Sequence, residues 1–318
     1  MLSAILRRLA LSMLTLFLLS GFVFVATEVL PGDALDVVLS ADEVASMPAE
    51  RLAAMKKELG LDRPAGERFL TFLTGIVQLD FGRTIISKTP VIDMVWYPMR
   101  NSLVLALAVI LAAIPAALVI GVVAAYTHGR AIDTAISSAA IVGYSIPEFV
   151  IGTVLVLLFA VVWPIFPATI TASTRDSPWI LLEASALPIA TVVIGSVAYV
   201  GRILRVGMIE ALASDFVERL RMTGVPEWRV VIIHALPAAV VPTLTAMALY
   251  AAALVSGIVV VELVFAYPGL GQELVRAVTR REIHLIQALA LLSAVVVVLC
   301  NLAADMAILA LDPRARRA

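Results

Sequence analysis

Uncharged stretches long enough to cross a bilayer recur along the 318 residues of this chain. Residues 9–27 carry no charge between Arg8 and Glu28, and the same is true of 101–129, 184–201, 230–261 and 283–304. A further run, from Asp133 to Arg175, is broken only by Glu148. A bilayer-spanning helix needs about 20 consecutive apolar residues. The pattern therefore predicts an all-α integral membrane protein of six transmembrane helices, the third long and interrupted near its middle. The first run follows Arg7 and Arg8, as the core of a signal peptide would. It exceeds the ~7–15 residues of such a core and no small-x-small cleavage site ends it, so it reads as an uncleaved span.

The polar stretch between the first two spans predicts a separate segment. It opens with the turn Pro31-Gly32-Asp33. A helix is expected from Pro48 to Leu59, with Pro48 suited to the first turn, Leu52, Met55 and Leu59 on one face and Gly60 at the exit. A second apolar-periodic stretch runs from about Glu67 to Leu79. The chain thus divides into an N-terminal transmembrane helix (1–30), an extracytoplasmic segment (31–97) and a core of five spans (98–318). Pro115, Pro147, Pro188 and Pro242 mark the spans, and each removes a backbone donor and favours a kink.

Composition narrows the function classes. Hydrophobic residues make up 62% of the chain and charged residues 15%, against about 25% charged in soluble domains. The surplus apolar surface must face lipid. A net charge of −1 gives no support to a nucleic-acid partner. Lys56, Lys57 and Lys88 are the only lysines, and none completes a G-x-x-x-x-G-K-[ST] loop, so P-loop ATP binding is excluded. Cys300 is the single cysteine and cannot form an intrachain disulfide. His128, His234 and His284 lack metal-ligand spacing. His128 is expected to be solvated in a short turn with Gly129 and Arg130. Arginine placement sets orientation. Arg7, Arg8, Arg130, Arg202, Arg205, Arg219, Arg221, Arg229, Arg314, Arg316 and Arg317 fall on the side of the N-terminus, against Arg175, Arg276, Arg280 and Arg281 in the short loops opposite. This bias predicts N-in, C-in.

The loop between the fourth and fifth spans carries the most specific local pattern. Asp215 can cap a helix, with Glu218 as the return arm of a capping box. Gly224 suits the left-handed exit position and Pro226 forbids continuation. The result is a helix of about two turns, too short to stand alone in water. Phe216 and Leu220 give it an apolar stripe, and Glu218, Arg219 and Arg221 fill the remainder. Two readings stay open: an amphipathic connector on the membrane, or a docking helix whose Phe216 fills a partner's socket. Glu148 follows Pro147 at the break in the third run. It is either a carboxylate lining a polar path, since a mid-membrane charge rarely faces lipid, or a charge near an interfacial boundary. Asp305, near the end of the last span, reads as a partnered structural charge.

These residues also carry a resemblance. Glu218-Arg219-Leu220, then Gly224, then Leu236-Pro237 resembles the E-A-A-x-x-x-G … I-x-L-P loop of bacterial ABC-importer permeases. Arg219 and Leu220 stand in place of the alanines and His234 in place of the isoleucine. Leu30-Pro31-Gly32-Asp33, Leu59-Gly60-Leu61-Asp62-Arg63-Pro64, Leu79-Asp80-Phe81-Gly82, Ser145-Ile146-Pro147, Glu262-x-x-Phe265-x-x-Pro268-Gly269-Leu270-Gly271 and Asp312-Pro313-Arg314 resemble, in order, motifs of the dipeptide/oligopeptide/nickel branch.

The resemblance implies a type I ABC importer transmembrane fold in the bacterial inner membrane, and no catalysis in this chain. It implies a second homologous permease subunit, two ATP-binding subunits holding ATP and Mg, and an extracytoplasmic solute-binding protein. The loop 209–237 would couple ATPase motion to the spans through Asp215, Phe216, Glu218, Arg219, Arg221 and Gly224. Ser145 and Glu148 would line the path, and Glu262 would act at its outer gate. Short peptides are the expected substrate, with nickel chelates, opines and oligosaccharides as other cargoes of the branch. The alternative is an ion-coupled secondary transporter, which predicts internal repeats and several intramembrane acids; only Glu148 lies at mid-span.

Overall fold

The computed structural model describes residues 2–29, 47–48, 50–51, 63–84 and 87–311. The expected turn at Pro31-Gly32-Asp33, nearly all of the expected helix from Pro48 to Leu59 and the Asp312-Pro313-Arg314 ending lie outside the described residues, as does the side chain of Asp305. Among the described residues the chain is helical, with a single isolated β-bridge between Arg83 and Pro90.

Among the described residues four helices are long and apolar enough to cross a membrane: α1 (Leu2–Val29), α3 (Val91–Tyr126), α7 (Ala186–Leu212) and α11 (Ile283–Leu311). A bent pair, α4 (Ala131–Ser145) and α5 (Glu148–Val156, extended by a π-helical turn Leu157–Val162), counts as a fifth when its two arms are taken as one span. The axis bends by 102° between its two arms. The expected interruption of the third run is this bend. Pro147 causes it, because residue Ile146 before it is driven to extended backbone (ψ 127°) and the helix must stop there. α9 (Leu236–Val264) adds a further 29-residue helix. The other three span prolines do not interrupt a helix. Pro188 falls in the first turn of α7, where its missing N–H removes no helical hydrogen bond. The helix continues through Pro115 in α3 and Pro242 in α9.

The residues divide into two compact units. One comprises residues up to Ser102, Ser173–Arg175 and Pro268–Val298. Within it α2 (Ala65–Gln78), the second stretch expected between the first two spans, lies against α1 through Phe24–Phe69 and Phe24–Phe72 ring contacts at 5.2 and 6.2 Å. Val91 and Val95 at the start of α3 share a core with α10 (Leu270–Thr279) and the first turns of α11. Asn101, fully buried, donates to the carbonyls of Thr174 and Pro268 at 3.0 and 2.8 Å and pins two irregular segments.

The other unit contains the remainder of α3, α4–α5, α6 (Pro178–Ala184), α7, α9 and the connection between α7 and α9. α7 is its hub, packed against α4, α5 and α9. It buries Thr191, Val192, Gly195, Ser196, Leu204 and Met208. Buried hydroxyls are satisfied internally: Thr191 and Ser196 each bond the carbonyl four residues back, as a polar group away from water must.

Candidate functional site

The connection between α7 and α9 folds as the sequence predicts in length and in its exit, and differs in its entry. α8 (Asp215–Met222) has eight residues. Ser214, not Asp215, holds the cap position with extended backbone (φ −80°, ψ 151°), and its hydroxyl turns back to the carbonyl of Ala211. No side chain caps the helix, so the capping box between Asp215 and Glu218 does not form. Both carboxylates instead sit in the first turn, where the helix dipole favours them, and Arg219 and Arg221 sit in the last. At the exit Gly224 has φ +78°. Its N–H bonds the Arg221 carbonyl at 3.0 Å and that of Val225 the Leu220 carbonyl at 3.1 Å. This paired closure is the Schellman arrangement, which needs a left-handed residue at that position.

The apolar side of α8 is shifted from the expected stripe. Val217 is fully buried and Leu220 partly so, in a cluster with Leu204 and Met208 of α7 and with Val230, Val231 and Ala235 of a π-helical turn leading into α9. Phe216 lies 38% exposed and Met222 75% exposed, facing away from that cluster. Arg221 closes onto Glu227 at 2.7 Å. That hydrogen bond holds the Glu227 carboxyl below its ordinary pKa and raises that of Arg221. Six predicted residues, Asp215, Phe216, Glu218, Arg219, Arg221 and Gly224, thus lie on one short helix and its exit, with a charged and aromatic face left open.

Ser145 and Glu148 flank the 102° bend. Ser145 ends α4, exposed, its hydroxyl donating to the Ile141 carbonyl at 2.7 Å. Glu148 opens α5, half-buried, and its carboxylate fills a notch cut by two glycines. A Cβ on Gly257 of α9 would lie 2.9 Å from one carboxylate oxygen, and a Cβ on Gly195 of α7 would lie 3.8 Å from the other. Glycine at 257 therefore gives the carboxylate its room. Glu262 lies about one and a half turns further along α9 and is fully buried. Its carbonyl accepts the N–H of Tyr267 at 2.8 Å, closing α9 through Ala266 in left-handed backbone (φ +51°). The three residues expected on the path thus divide into a pair at the bend and one buried near the end of α9.

Sequence patterning missed two groups. Asp133, in the first turn of α4, accepts from Arg205 of α7 at 2.5 and 2.7 Å, from the Gly129 N–H at 3.0 Å and from Ser137 at 3.2 Å. His128 reaches the same carboxylate at 3.1 Å, so its ring is tethered though largely exposed. The second group is a ladder of three tyrosines, Tyr144, Tyr199 and Tyr250, beside Glu148. No signal in the sequence joins Asp133 to Arg205, or the three tyrosines to one another, since these partners lie about 50 or more residues apart on different helices. Among the described residues no cluster suited to a metal ion occurs.

Comparison with known proteins gives these features a setting. Residues 117–317 match the family described as binding-protein-dependent transport system inner membrane component, and residues 1–120 match the N-terminal part of such membrane components. The chain is 30% identical over 343 aligned residues to the dipeptide transport system permease protein DppB of Escherichia coli (strain K12), covering 99% of both chains. It is 31% identical over 316 residues to a candidate peptide transport system permease protein of Brucella abortus (strain 2308), again 99% of both. A probable peptide ABC transporter permease protein of Sinorhizobium fredii is 29% identical over 314 residues, 98% of each chain. With two family models that together run almost end to end and apolar helices able to cross a bilayer several times, this chain belongs to the multi-pass inner membrane components of binding-protein-dependent transport systems.

Proposed function

We propose that this chain is one of two related permease subunits of an ATP-driven importer for di- or oligopeptides. In this reading it has six spans in the type I ABC importer arrangement, N-in and C-in, with an N-terminal span (1–30), an extracytoplasmic segment (31–97) and a five-span core (98–318). Two ATPase subunits carry ATP and Mg, and an extracytoplasmic binding protein delivers the solute. The peptide substrate rests on the peptide and dipeptide permeases among the relatives, DppB included. Family membership sets aside the ion-coupled secondary transporter.

The observation that carries the coupling assignment is α8. Its inner side is anchored by Val217 in the unit's own core, its exit is locked at Gly224, and its other side offers Phe216 beside Glu218 and Arg219. Partner sockets recognise an aromatic anchor ringed by charges. ATPase closure pushes this helix, and the loop 209–237 passes the displacement to α7 and α9, switching the spans between two packings. Ser145 and Glu148 line the path at the bend, and Glu262 serves the outer gate.

The test is ATP-dependent uptake in vesicles carrying all subunits. Gly224→Val forces a β-branched residue into left-handed backbone, and Glu218→Ala removes a docking charge. Each should lower uptake about tenfold or more, a loss of transition-state stabilisation of about 1.4 kcal/mol or more, while membrane insertion is unchanged. Normal uptake in both variants would refute the docking role.

A further inference from the structure

The tyrosine ladder joins three helices. Tyr144, in the last turn of α4, stacks on Tyr199 of α7 with ring centroids 5.4 Å apart. Tyr199 stacks on Tyr250 of α9 at 5.0 Å. The guanidinium of Arg202, one turn after Tyr199, lies 5.7 Å from the centroid of the Tyr144 ring and caps that end. At the other end the Tyr250 hydroxyl and the Glu148 carboxylate converge on Gly195, 3.6 and 3.8 Å from where a Cβ would stand. Gly195, Tyr199, Arg202, Val206 and Glu210 follow one another at helical spacing on one face of α7. Beyond Arg202 that face opens into a groove of about 330 Å³ lined by Arg202, Ile203, Val206, Gly207, Glu210 and Thr243.

Core packing does not account for this face. Tyr144 is 52% exposed, Val206 48% exposed, and Arg202 and Glu210 are exposed. Nor does lipid: a carboxylate inside a span, as Glu148 is, rarely turns to hydrocarbon. Stacked tyrosines offer rigid apolar sides and a rim of hydroxyls at low conformational cost. A guanidinium resting on a ring keeps its fork of donors free for a carboxylate. The strip therefore presents an acceptor of positive charge at one end and of negative charge at the other.

We propose that Glu148, the Tyr144–Tyr199–Tyr250 ladder and Arg202 form the solute-binding strip of this chain, and that it takes a small zwitterion, ammonium toward Glu148 and carboxylate toward Arg202. This deepens the permease reading and rests on it. Val206 and Glu210 continue the strip toward the cytoplasmic exit.

The experiment uses the complete transporter in vesicles, with Cys300→Ser as background and Val206→Cys or, in a second variant, Ile203→Cys, both in the groove beside the ladder. Labelling by cationic and anionic water-soluble thiosulfonate reagents reports access and local charge. Both cysteines should label. Glu148→Gln should shift the ratio of cationic to anionic labelling down, and Arg202→Gln should shift it up, each by about tenfold, as a charged cleft dictates. Alanyl-alanine should slow labelling, and its N-acetylated, C-amidated analogue should not. Cysteines that never label, a ratio blind to both charge substitutions, or equal protection by the two peptides would overturn the strip. A strip that labels and is protected as expected, in a complex that takes up no peptide with ATP, would instead refute the importer reading.

Discussion

Asp133 shows how much a single residue commits in this unit. Its two oxygens accept from both nitrogens of the Arg205 fork, from the Gly129 N–H and from Ser137. The bidentate pair, nearly buried on the Asp133 side, ties the start of α4 to α7. Removing one member leaves the other without its counter-charge in a low-dielectric site. Asp133→Ala should therefore lower the thermal midpoint of the detergent-solubilised protein by several degrees, and so should Arg205→Ala. The double charge reversal should recover part of the loss, and strictly additive effects would show that the pair is not coupled. None of this was legible in the sequence, where Asp133 and Arg205 stand 72 residues apart and each looks like an ordinary helix-end charge. The same holds for Tyr144, Tyr199 and Tyr250, which helix packing alone brings together. Glu148 was legible, because a carboxylate directly after a proline inside an apolar run is conspicuous by chemistry.

At the scale of elements, α8 was read from local rules because local rules govern it. Gly224 and Pro226 fix its end through backbone geometry that no tertiary contact need override. Its start was misassigned by one residue, since Ser214 and Asp215 are both good caps and the Ser214 hydroxyl is occupied by the Ala211 carbonyl. Its apolar side was misjudged because Val217 lies three residues before Leu220, a spacing as helical as that of Phe216, and only the core of α7 decides between them. The Arg221–Glu227 bridge closes the loop after α8 at 2.7 Å. Glu227 has a lowered pKa in the folded chain. Its contribution is therefore present above the unfolded carboxylate pKa of about 4.3 and lost as pH falls through the lower folded value. Both partners are over a third exposed, so solvent screening holds the effect to about 0.5 kcal/mol. Hydrogen exchange of the 221–227 amides should accelerate modestly below pH 4 relative to Glu227→Gln, and an unchanged difference between the two would dismiss the bridge.

For the whole molecule, the expected spans follow from charge-free length, and several of their helices run past those limits at one end or both. α3 starts at Val91, ten residues before its charge-free run, and takes Asp93 and Arg100 into its first turns. Charge spacing marks where lipid ends and not where a helix does. Under the proposed orientation, reporter fusions offer a direct check. A fluorescent protein joined after Ala318 should fluoresce and a periplasmic phosphatase joined there should be inactive, whereas the phosphatase inserted near Pro178 should be active; the reverse pattern would invert the topology. The anchoring of Val217 carries a mechanical consequence. α8 is not a handle attached to the membrane helices but a plug in the same close-packed interior as Leu204, Met208 and Val230. Such interiors do not deform by degrees. A small push by a partner would be resisted until the cluster reseats, so the subunit would respond as a toggle with a threshold, insensitive to incomplete nucleotide closure and fully committed beyond it.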